Sequence, residues 1–119
     1  MTAALYRTCH AGVTLMMTCH PSYLPLELMA SGALVISNRN PHTSWLLRDR
    51  ENCLVSEPSP GAMAATIVEA LTNNSLRETL ALGGLKTIAA AHTNWASVAE
   101  HVFQVMHRAT VAECAYSAR

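Results

Sequence analysis

Glu27 is the residue in this chain whose type and position most favour chemistry. Its neighbours Leu26, Leu28 and Met29 are apolar, and a charge in such a setting normally needs a specific partner. The preceding residues 20–24 (His-Pro-Ser-Tyr-Leu) form a turn into a predicted helix, whose first N–H groups suit an anion such as a phosphate. Glu27, about one turn further along, is placed to accept hydrogen bonds from hydroxyls attached next to that phosphate. A sugar nucleotide offers both groups.

Two strands and a helix must position this carboxylate. Residues 12–17 and 33–37 are short apolar runs with β-branched members, typical of strands buried on both faces. Between them, Ser22 is the expected N-cap, Pro25 is tolerated in a first turn, and Gly32 lies where a helix ends in a left-handed residue. The pattern predicts two parallel strands joined by a helix. Such a helix begins at the carboxyl edge of the sheet, where open α/β folds bind ligands.

A family resemblance rests on these residues. Residues 27–32 (Glu-Leu-Met-Ala-Ser-Gly) and the apolar run after them resemble the donor-binding signature of retaining GT-B glycosyltransferases, usually Glu-Ala-Met-Ala-Cys-Gly and a short strand. Residues 15–27 are more similar still to a bacterial rhamnosyltransferase subgroup, which reads roughly Leu-Met-Leu-Ser-Pro-His-Pro-Ser-Tyr-Pro-Pro-Leu-Glu. The resemblance continues through residues 52–60 and the helix of Trp95, so it covers roughly residues 5–105.

The resemblance implies a donor site. In the family, the carboxylate that matches Glu27 holds the ribose hydroxyls of the donor nucleotide, while backbone amides near residues 22–24 approach the diphosphate. The donor-binding residues implied in this way are Glu27, Ser22, Tyr23, Leu24, Pro21 and His20. No catalytic residue is assigned.

Three of the implied residues have a simpler interpretation. Glu27 also fits an exposed helix flank, Ser22 a helix cap and Tyr23 a packed side chain.

The chain also differs from the family at one position. Many members have a second glutamate eight positions before the first, in contact with the donor sugar, where this chain has Cys19. The rhamnosyltransferase subgroup lacks that glutamate too, so the difference favours the subgroup and leaves the sugar contact unassigned.

Chain length limits how much of such an enzyme is present. A GT-B enzyme resembles two Rossmann-like domains across a cleft, whereas 119 residues form one domain at most. The three convincing strands, residues 12–17, 33–37 and 53–55, are fewer than the roughly 5–6 of an average sheet. We therefore expect an α/β fold, a partial Rossmann-like parallel sheet flanked by helices. Residues 1–108 would form the carboxyl-terminal part of a donor-binding domain and residues 109–119 a tail. The amino-terminal, acceptor-binding domain would lie upstream or on another chain.

Charge and hydropathy exclude several function classes. Eight basic and eight acidic residues balance without clusters, so nothing indicates a nucleic-acid face or a polybasic membrane patch. No apolar run approaches the roughly 20 residues of a transmembrane helix, and the first residues lack the pattern of a secretion signal. We expect a cytoplasmic protein. The resemblance implies work on lipid-linked acceptors at the inner face of the membrane.

The cysteines and histidines allow a zinc hypothesis that the spacing disfavours. Cys9-His10 and Cys19-His20 are ten residues apart, unlike the close ligand pairs of structural zinc sites, and a predicted strand separates them. Buried or half-exposed thiols are the simpler interpretation, so neither a metal nor a cofactor is expected. His20 lies at a strand end, where contact with a phosphate and a capping role both remain open. Arg39, in the loop after the second strand, is interpreted as solvated, with a phosphate contact as the alternative.

The remaining segments are predicted to be helical scaffold. Ser59 and Pro60 open a helix to Leu71 with an apolar face, formed by Met63, Ile67 and Leu71. A helix from Leu76 to about Ala91 is interrupted by Gly83 and Gly84, each of which costs about 1 kcal/mol relative to alanine. A last helix, capped by Asn94, is expected to face inward with its apolar side chains, Val98, Val102, Val105 and Met106.

These observations lead to one hypothesis and two alternatives. The hypothesis is a glycosyltransferase fragment that transfers a sugar from a nucleotide-sugar donor to a glycan acceptor, with deoxythymidine-diphosphate-rhamnose favoured as donor. Residues 21–24 and the helix dipole would hold the diphosphate. The basic pair that stabilises this leaving group in GT-B enzymes is absent, so the isolated fragment is expected to be inactive. The alternatives are part of a nucleotide-sugar epimerase and a non-catalytic remnant that binds a partner.

Overall fold

The computed structural model of the protein describes residues 2–20, 22–91 and 96–106. Its regular elements are α1 (Thr2–Thr8), β1 (Ala11–Thr14), α2 (Leu24–Ala30), β2 (Leu34–Asn38), a 3₁₀ turn (Pro41–Thr43), β3 (Leu54–Ser56), α3 (Pro60–Thr72) and α4 (Asn74–Ala91). Residues 96–106 are helical and are called α5. The predicted tail, residues 109–119, and the predicted cap Asn94 lie outside the described residues.

The three strands form one parallel sheet in the order β1-β2-β3. Ala11 pairs with Leu34 at the start of the β1–β2 ladder, and Ile36 pairs with Leu54 at the start of the β2–β3 ladder. The helix α2 connects β1 to β2, as a parallel pair requires. The predicted α/β fold, a parallel sheet flanked by helices, is therefore confirmed.

Both faces of the central strand β2 are covered, and successive residues along it enter opposite layers. The first strand was also predicted to be buried on both faces, but β1 is an edge strand in which Val13 is 45% exposed. Val35 belongs to a cluster with Leu28 and Met29 of α2, whereas Leu34 and Ile36 belong to a cluster with Ala70 of α3 and Leu80 of α4. All five residues of β2 are buried. This double burial explains why the strand appears in the sequence as a continuous apolar run rather than an alternating one.

The helix α2 has the stop signal that the sequence predicts but a different start. Gly32 has a φ of 78°, the left-handed conformation expected where the helix ends. The N-cap is Tyr23, whose side chain makes no capping bond, and not Ser22. Ser22 contributes from one residue earlier, because its Oγ accepts a hydrogen bond from the backbone N–H of Leu24 at 3.2 Å.

The boundaries of the other elements also differ in places from the predictions. The strand β1 ends at Thr14, three residues before the predicted end, because side chains of the β2 end take over the bonds to the next residues of the chain. Ser59 caps α3 as predicted, with its side chain accepting from the N–H of Ala62. Leu71 was expected to face the core, but it is exposed, and Ala70 is buried in its place.

Two expectations about the later helices were wrong. The glycines Gly83 and Gly84 do not interrupt α4, which runs unbroken from Asn74 to Ala91. The side chains of α5 that were expected to face inward, Val98, Val102, Val105 and Met106, are exposed. Sequence periodicity shows that such residues share one face of a helix, but it does not show what packs against that face. Within the described ranges, no helix is long and apolar enough to cross a bilayer.

Candidate functional site

The carboxyl ends of the three strands define the candidate site. The strands β1, β2 and β3 end at Thr14, Asn38 and Ser56, and since they are parallel these ends share one edge of the sheet. The segment from Leu15 to Tyr23 leaves this edge after β1 and enters α2. The implied donor-binding residues from His20 to Tyr23 belong to this segment. The other two, Leu24 and Glu27, follow it in the first turn of α2.

Glu27 lies in the first turn of α2, the end of the helix that starts from this edge. Its side chain is exposed, and the described residues provide it with neither a hydrogen-bond nor an ion-pair partner. It lines an open depression of about 420 Å³ between α1 and α2, together with Thr2, Tyr6, Arg7 and Ser31. The carboxylate is thus available to a ligand, and Arg7 supplies a positive charge to the same depression.

Of the implied donor-binding residues that the structure describes, Glu27 alone lines this depression. His20, Ser22 and Tyr23 are exposed in the turn, whereas Leu24 is half-buried and packs against the core. The N–H of Leu24 already donates to Ser22 Oγ, so a phosphate would have to compete for it. Pro21 lies outside the described residues. His20, Ser22 and Tyr23 therefore precede α2 along the chain and lie outside the lining of the depression that Glu27 faces.

A set of polar side chains at the end of β2 holds the segment that carries the turn. Ser37 Oγ donates to the carbonyl of Thr14 at 2.9 Å. The side chain of Asn38 accepts from the N–H of Met16 at 2.7 Å and donates to the carbonyl of the same residue at 3.1 Å. Asn40 Nδ2 donates to the carbonyls of Met16 and Thr18, both at 2.9 Å. We call Ser37, Asn38 and Asn40 the asparagine clamp.

A second cavity, of about 450 Å³, lies beside the clamp at the same edge. Cys19 and Thr18 line it from the β1 side, and Asn38, Asn40 and His42 line it from the β2 side. Cys19 is exposed and occupies the position where many members of the resembled family have a sugar-binding glutamate. This surface therefore adjoins the turn but presents a thiol and amides instead of a carboxylate.

Arg39 at this edge is engaged in an ion pair. Its Nε donates to the Glu57 carboxylate across the β2 and β3 loops, and both side chains are exposed. This hydrogen bond and the negative charge of Glu57 raise the pKa of Arg39 above its usual value. Arg39 was interpreted as solvated. Its side chain is exposed to solvent and is also paired with Glu57, so a phosphate would meet an arginine whose charge is already partly neutralised.

The thiols and histidines form no metal centre in the part of the chain that the structure describes, where no group of three potential ligands comes together. Cys53 is fully buried, and burial raises the pKa of its thiol to about 12. A thiol with so high a pKa stays neutral and is a poor nucleophile. Cys53 is therefore a core residue.

The sequence of residues 1–68 matches a known protein family. The sequence profile described as "WsaF, C-terminal domain" matches residues 1–68, more than half of the chain. The chain belongs to the WsaF C-terminal domain family. The matched region contains all three strands, α2 with Glu27, and the asparagine clamp.

A curated relative extends the match. Over 103 residues, which is 87% of this chain, the sequence is 42% identical to the O-antigen biosynthesis protein RfbC of Myxococcus xanthus. Those residues make up 8% of the relative, so this chain corresponds to a small part of that much longer protein. Shared identity at this level over nearly the whole chain places the described domain in the same family as part of RfbC.

Two solved structures have the same fold as this chain. The sucrose-phosphate synthase of Thermosynechococcus elongatus superposes with a TM-score of 0.75 at 23% identity, covering 93% of this chain and 28% of that one. The C-terminal domain of the group 1 glycosyl transferase LpcC from Francisella tularensis gives 0.61 at 22% identity, covering 75% and 46%. The expected carboxyl-terminal domain with a GT-B-type fold is thereby confirmed.

Glu27 and the residues before it were singled out from the sequence, but the asparagine clamp was not. The segment from Ser37 to Asn40 was interpreted as a strand end and a loop, although two asparagines flanking a strand end are a weak signal of side-chain bonds to backbone. Asp49 makes a bond of the same kind, since its carboxylate accepts a hydrogen bond from the N–H of Val55 in β3 at 2.8 Å. In both cases a side chain binds the backbone of a segment elsewhere in the sequence.

Proposed function

We propose that this chain is the carboxyl-terminal, donor-binding part of a glycosyltransferase that moves a sugar from a nucleoside-diphosphate donor to a glycan acceptor. Family membership, the GT-B-type fold and the relative named for O-antigen biosynthesis support this proposal. A deoxythymidine-diphosphate-rhamnose donor is favoured by the sequence of residues 15–27. The activity would operate at the cytoplasmic face of the membrane, peripheral to it, where lipid-linked acceptors are glycosylated.

The observation that carries the proposal is the unpartnered carboxylate of Glu27 at the start of α2. Most exposed glutamates have no role, but this one is in a helix that begins at the carboxyl edge of a parallel sheet, where such folds bind ligands. An ionised carboxylate only accepts hydrogen bonds, and the sugar hydroxyls of a nucleoside diphosphate can donate them. Ribose offers two such hydroxyls, and the deoxyribose of dTDP offers one. Glu27 is therefore the residue assigned to the ribose.

The turn before α2 would bind the diphosphate. His20, Ser22 and Tyr23 are exposed there and carry donor groups on their side chains. Pro21 and Leu24 complete the set of residues that the resemblance implies for the diphosphate. The positive end of α2 adds a small favourable field for the negative phosphates. Binding through this turn alone would be weak, since no arginine or lysine lies within it.

Turnover would need groups outside this chain. A departing nucleoside diphosphate must have its charge stabilised, and a basic pair is the usual means. Since the chain corresponds to 8% of its curated relative, the proposal assigns the acceptor site and that basic pair to another domain. It requires neither a metal nor a cofactor. Transferase activity from these residues alone would contradict the assignment of the acceptor site and the basic pair to another domain.

Nucleotide titration of the chain, followed by amide NMR, tests the proposal. UDP offers two ribose hydroxyls to Glu27, whereas dTDP offers one, so Glu27→Gln should weaken UDP binding about 10- to 100-fold and dTDP binding less. Shifts should be concentrated in residues 20–27. Glu78→Gln is the matched control, because Glu78 is an exposed glutamate of α4 and should leave both affinities unchanged. Absence of any shift in residues 20–27 would instead support a non-catalytic remnant.

A further inference from the structure

The segment between β1 and the turn is held in place by polar side chains and has little apolar packing of its own. Of its residues, Met16 is buried, whereas Leu15 is 63% exposed and Met17 is 78% exposed. The strand ladder with β2 stops at the pair Thr14 and Ser37. Beyond Thr14 the backbone path is therefore fixed mainly by the hydrogen bonds of the asparagine clamp.

From this geometry we propose that Asn38 and Asn40 are positioning residues of the donor site. They hold residues 15–19 on one path and so set where His20, Ser22 and Tyr23 stand relative to Glu27. The inference rests on the proposed function, because it assigns these residues to the nucleotide-binding turn. Neither asparagine needs to touch the ligand for this role.

Asn38 extends the strand pairing beyond the end of β1. Its amide accepts from the N–H and donates to the carbonyl of Met16, which is the bonding that a neighbouring strand would supply. The side chain is 5% exposed, so both bonds lie in a region where water cannot replace them. The chain can leave the sheet at Met16 without unsatisfied backbone groups.

Asn40 ties the segment to the next loop. Its Nδ2 donates to the carbonyls of Met16 and Thr18, while its Oδ1 accepts from the N–H of His42 at 3.0 Å, within the 3₁₀ turn. One amide therefore fixes two loops at the carboxyl edge. Thr18 lies two residues before His20, the first of the residues that would bind the diphosphate.

The expected benefit is preorganisation. A loop that samples several conformations binds its ligand less tightly, because the competent conformation is only a fraction of the population. Without the donors of Asn40, the carbonyls of Met16 and Thr18 would turn toward water, and the turn after them would lose its fixed starting point. Nucleotide affinity should therefore fall while the two hydrophobic clusters, and with them the fold, stay intact.

Asn40→Asp is the decisive variant because it separates the two functions of one side chain. Aspartate keeps an oxygen that accepts from the N–H of His42, but it replaces the donor to Met16 and Thr18 with a second acceptor. We expect the Kd for UDP and for dTDP to rise about tenfold, with little change in the urea midpoint. Backbone ¹⁵N order parameters should fall in residues 16–20 and not in β2.

Asn73→Asp is the matched control. It introduces the same charge and likewise keeps its cap, since Asn73 Oδ1 accepts from the N–H of Leu76 at the start of α4, far in sequence from the clamp. This variant should bind both nucleotides as the unaltered chain does. If Asn40→Asp does not fold, Asn40→Ala takes its place, because it removes the same donor without adding a charge.

The outcomes separate this inference from the proposed function. If the unaltered chain binds neither UDP nor dTDP, the donor site itself is wrong, and the positioning role falls with it. If the unaltered chain binds and the Asn40 variant keeps the order parameters of the unaltered chain, only the positioning role is overturned, whether or not the added charge weakens binding. Weaker binding together with lower order parameters confined to residues 16–20 supports it. Weaker binding accompanied by lower order parameters throughout the sheet counts against it.

Discussion

Gly83 lies directly against the carbonyl of Glu51, so that a Cβ atom at position 83 would stand 1.9 Å from the Glu51 oxygen. Real Cβ atoms do not approach a backbone oxygen so closely, and the helix α4 can reach the turn at residues 48–53 only because this position has no side chain. The neighbouring Gly84 meets the α2 side chain of Met29, with 3.0 Å between the hypothetical Cβ and Met29 Cγ. The two glycines therefore allow α4 to pack closely against both this turn and α2, the helix that contains Glu27.

Gly83→Ala should destabilise the protein strongly. The methyl group would meet backbone rather than a flexible side chain, so α4 or the turn must move, at a cost of about 2–4 kcal/mol in the free energy of unfolding. Gly84→Ala should cost less, since Met29 can change its rotamer. Urea denaturation of both variants, read by circular dichroism, measures the two losses.

Gly61→Ala is the control for this pair. Gly61 is in the first turn of α3, and a Cβ there meets no atom within 4 Å. The substitution should be neutral or stabilise by up to about 1 kcal/mol through helix propensity. A Gly83→Ala variant as stable as Gly61→Ala would show that α4 does not pack against the turn in this way.

The glycines illustrate what the sequence could and could not predict about the fold. The stop at Gly32, the cap at Ser59 and the buried strand β2 follow from local rules, and all three are present in the structure. Gly83 and Gly84 cost helix propensity by the same rules, and this predicted an interruption. The structure has none, because a tertiary contact with Glu51 requires glycine there, and such a contact leaves no local pattern.

The same distinction holds at the candidate site. Glu27 was identified because a charge among apolar neighbours is a local feature. Its exposed position in the first turn of α2 fits both the ligand-binding interpretation and the exposed-flank alternative. The bonds of Asn38 and Asn40 to Met16 span 22 and 24 residues and end on backbone atoms, which carry no residue-type signal. The side chains that orient a site are therefore harder to predict than the side chain that would contact the ligand.

Asn52→Ala should also destabilise the protein. Asn52 is buried; its Oδ1 accepts from the N–H of Arg48 and its Nδ2 donates to the carbonyl of Leu46 and to Thr87 Oγ1. Alanine would leave the two backbone groups without partners in the interior, at a cost of about 2–4 kcal/mol. The free energy of unfolding from urea titrations provides the measurement.

Thr87→Val serves as a graded comparison for this prediction. Valine has nearly the same shape and removes only one of the partners of Asn52, together with the bond from Thr87 Oγ1 to the carbonyl of Gly83. The loss should be about 1 kcal/mol. If Asn52→Ala proved no worse than Thr87→Val, the backbone bonds of Asn52 would have to be replaced by water.

The stability of the protein should fall at alkaline pH through Cys53. Burial raises the pKa of this thiol in the folded state from 9.0 to about 12. Above about pH 9 the unfolded chain can release the Cys53 proton while the folded chain retains it, so the unfolded state binds fewer protons and unfolding becomes easier as pH rises. The stabilisation is complete below about pH 9 and is lost progressively toward about pH 12.

A comparison with Cys53→Ala isolates this effect from the titration of other groups. The free energy of unfolding of the unaltered chain should fall by about 1–2 kcal/mol more than that of the variant between about pH 8 and about pH 10. Urea titrations of both proteins at a series of pH values measure the difference. The variant will be less stable at neutral pH, because the small cavity left by the sulfur loses packing, so the two curves should converge as pH rises. Parallel curves over that range would mean that the Cys53 thiol ionises as easily in the folded protein as in the unfolded one, and that water reaches the layer between the sheet and α2.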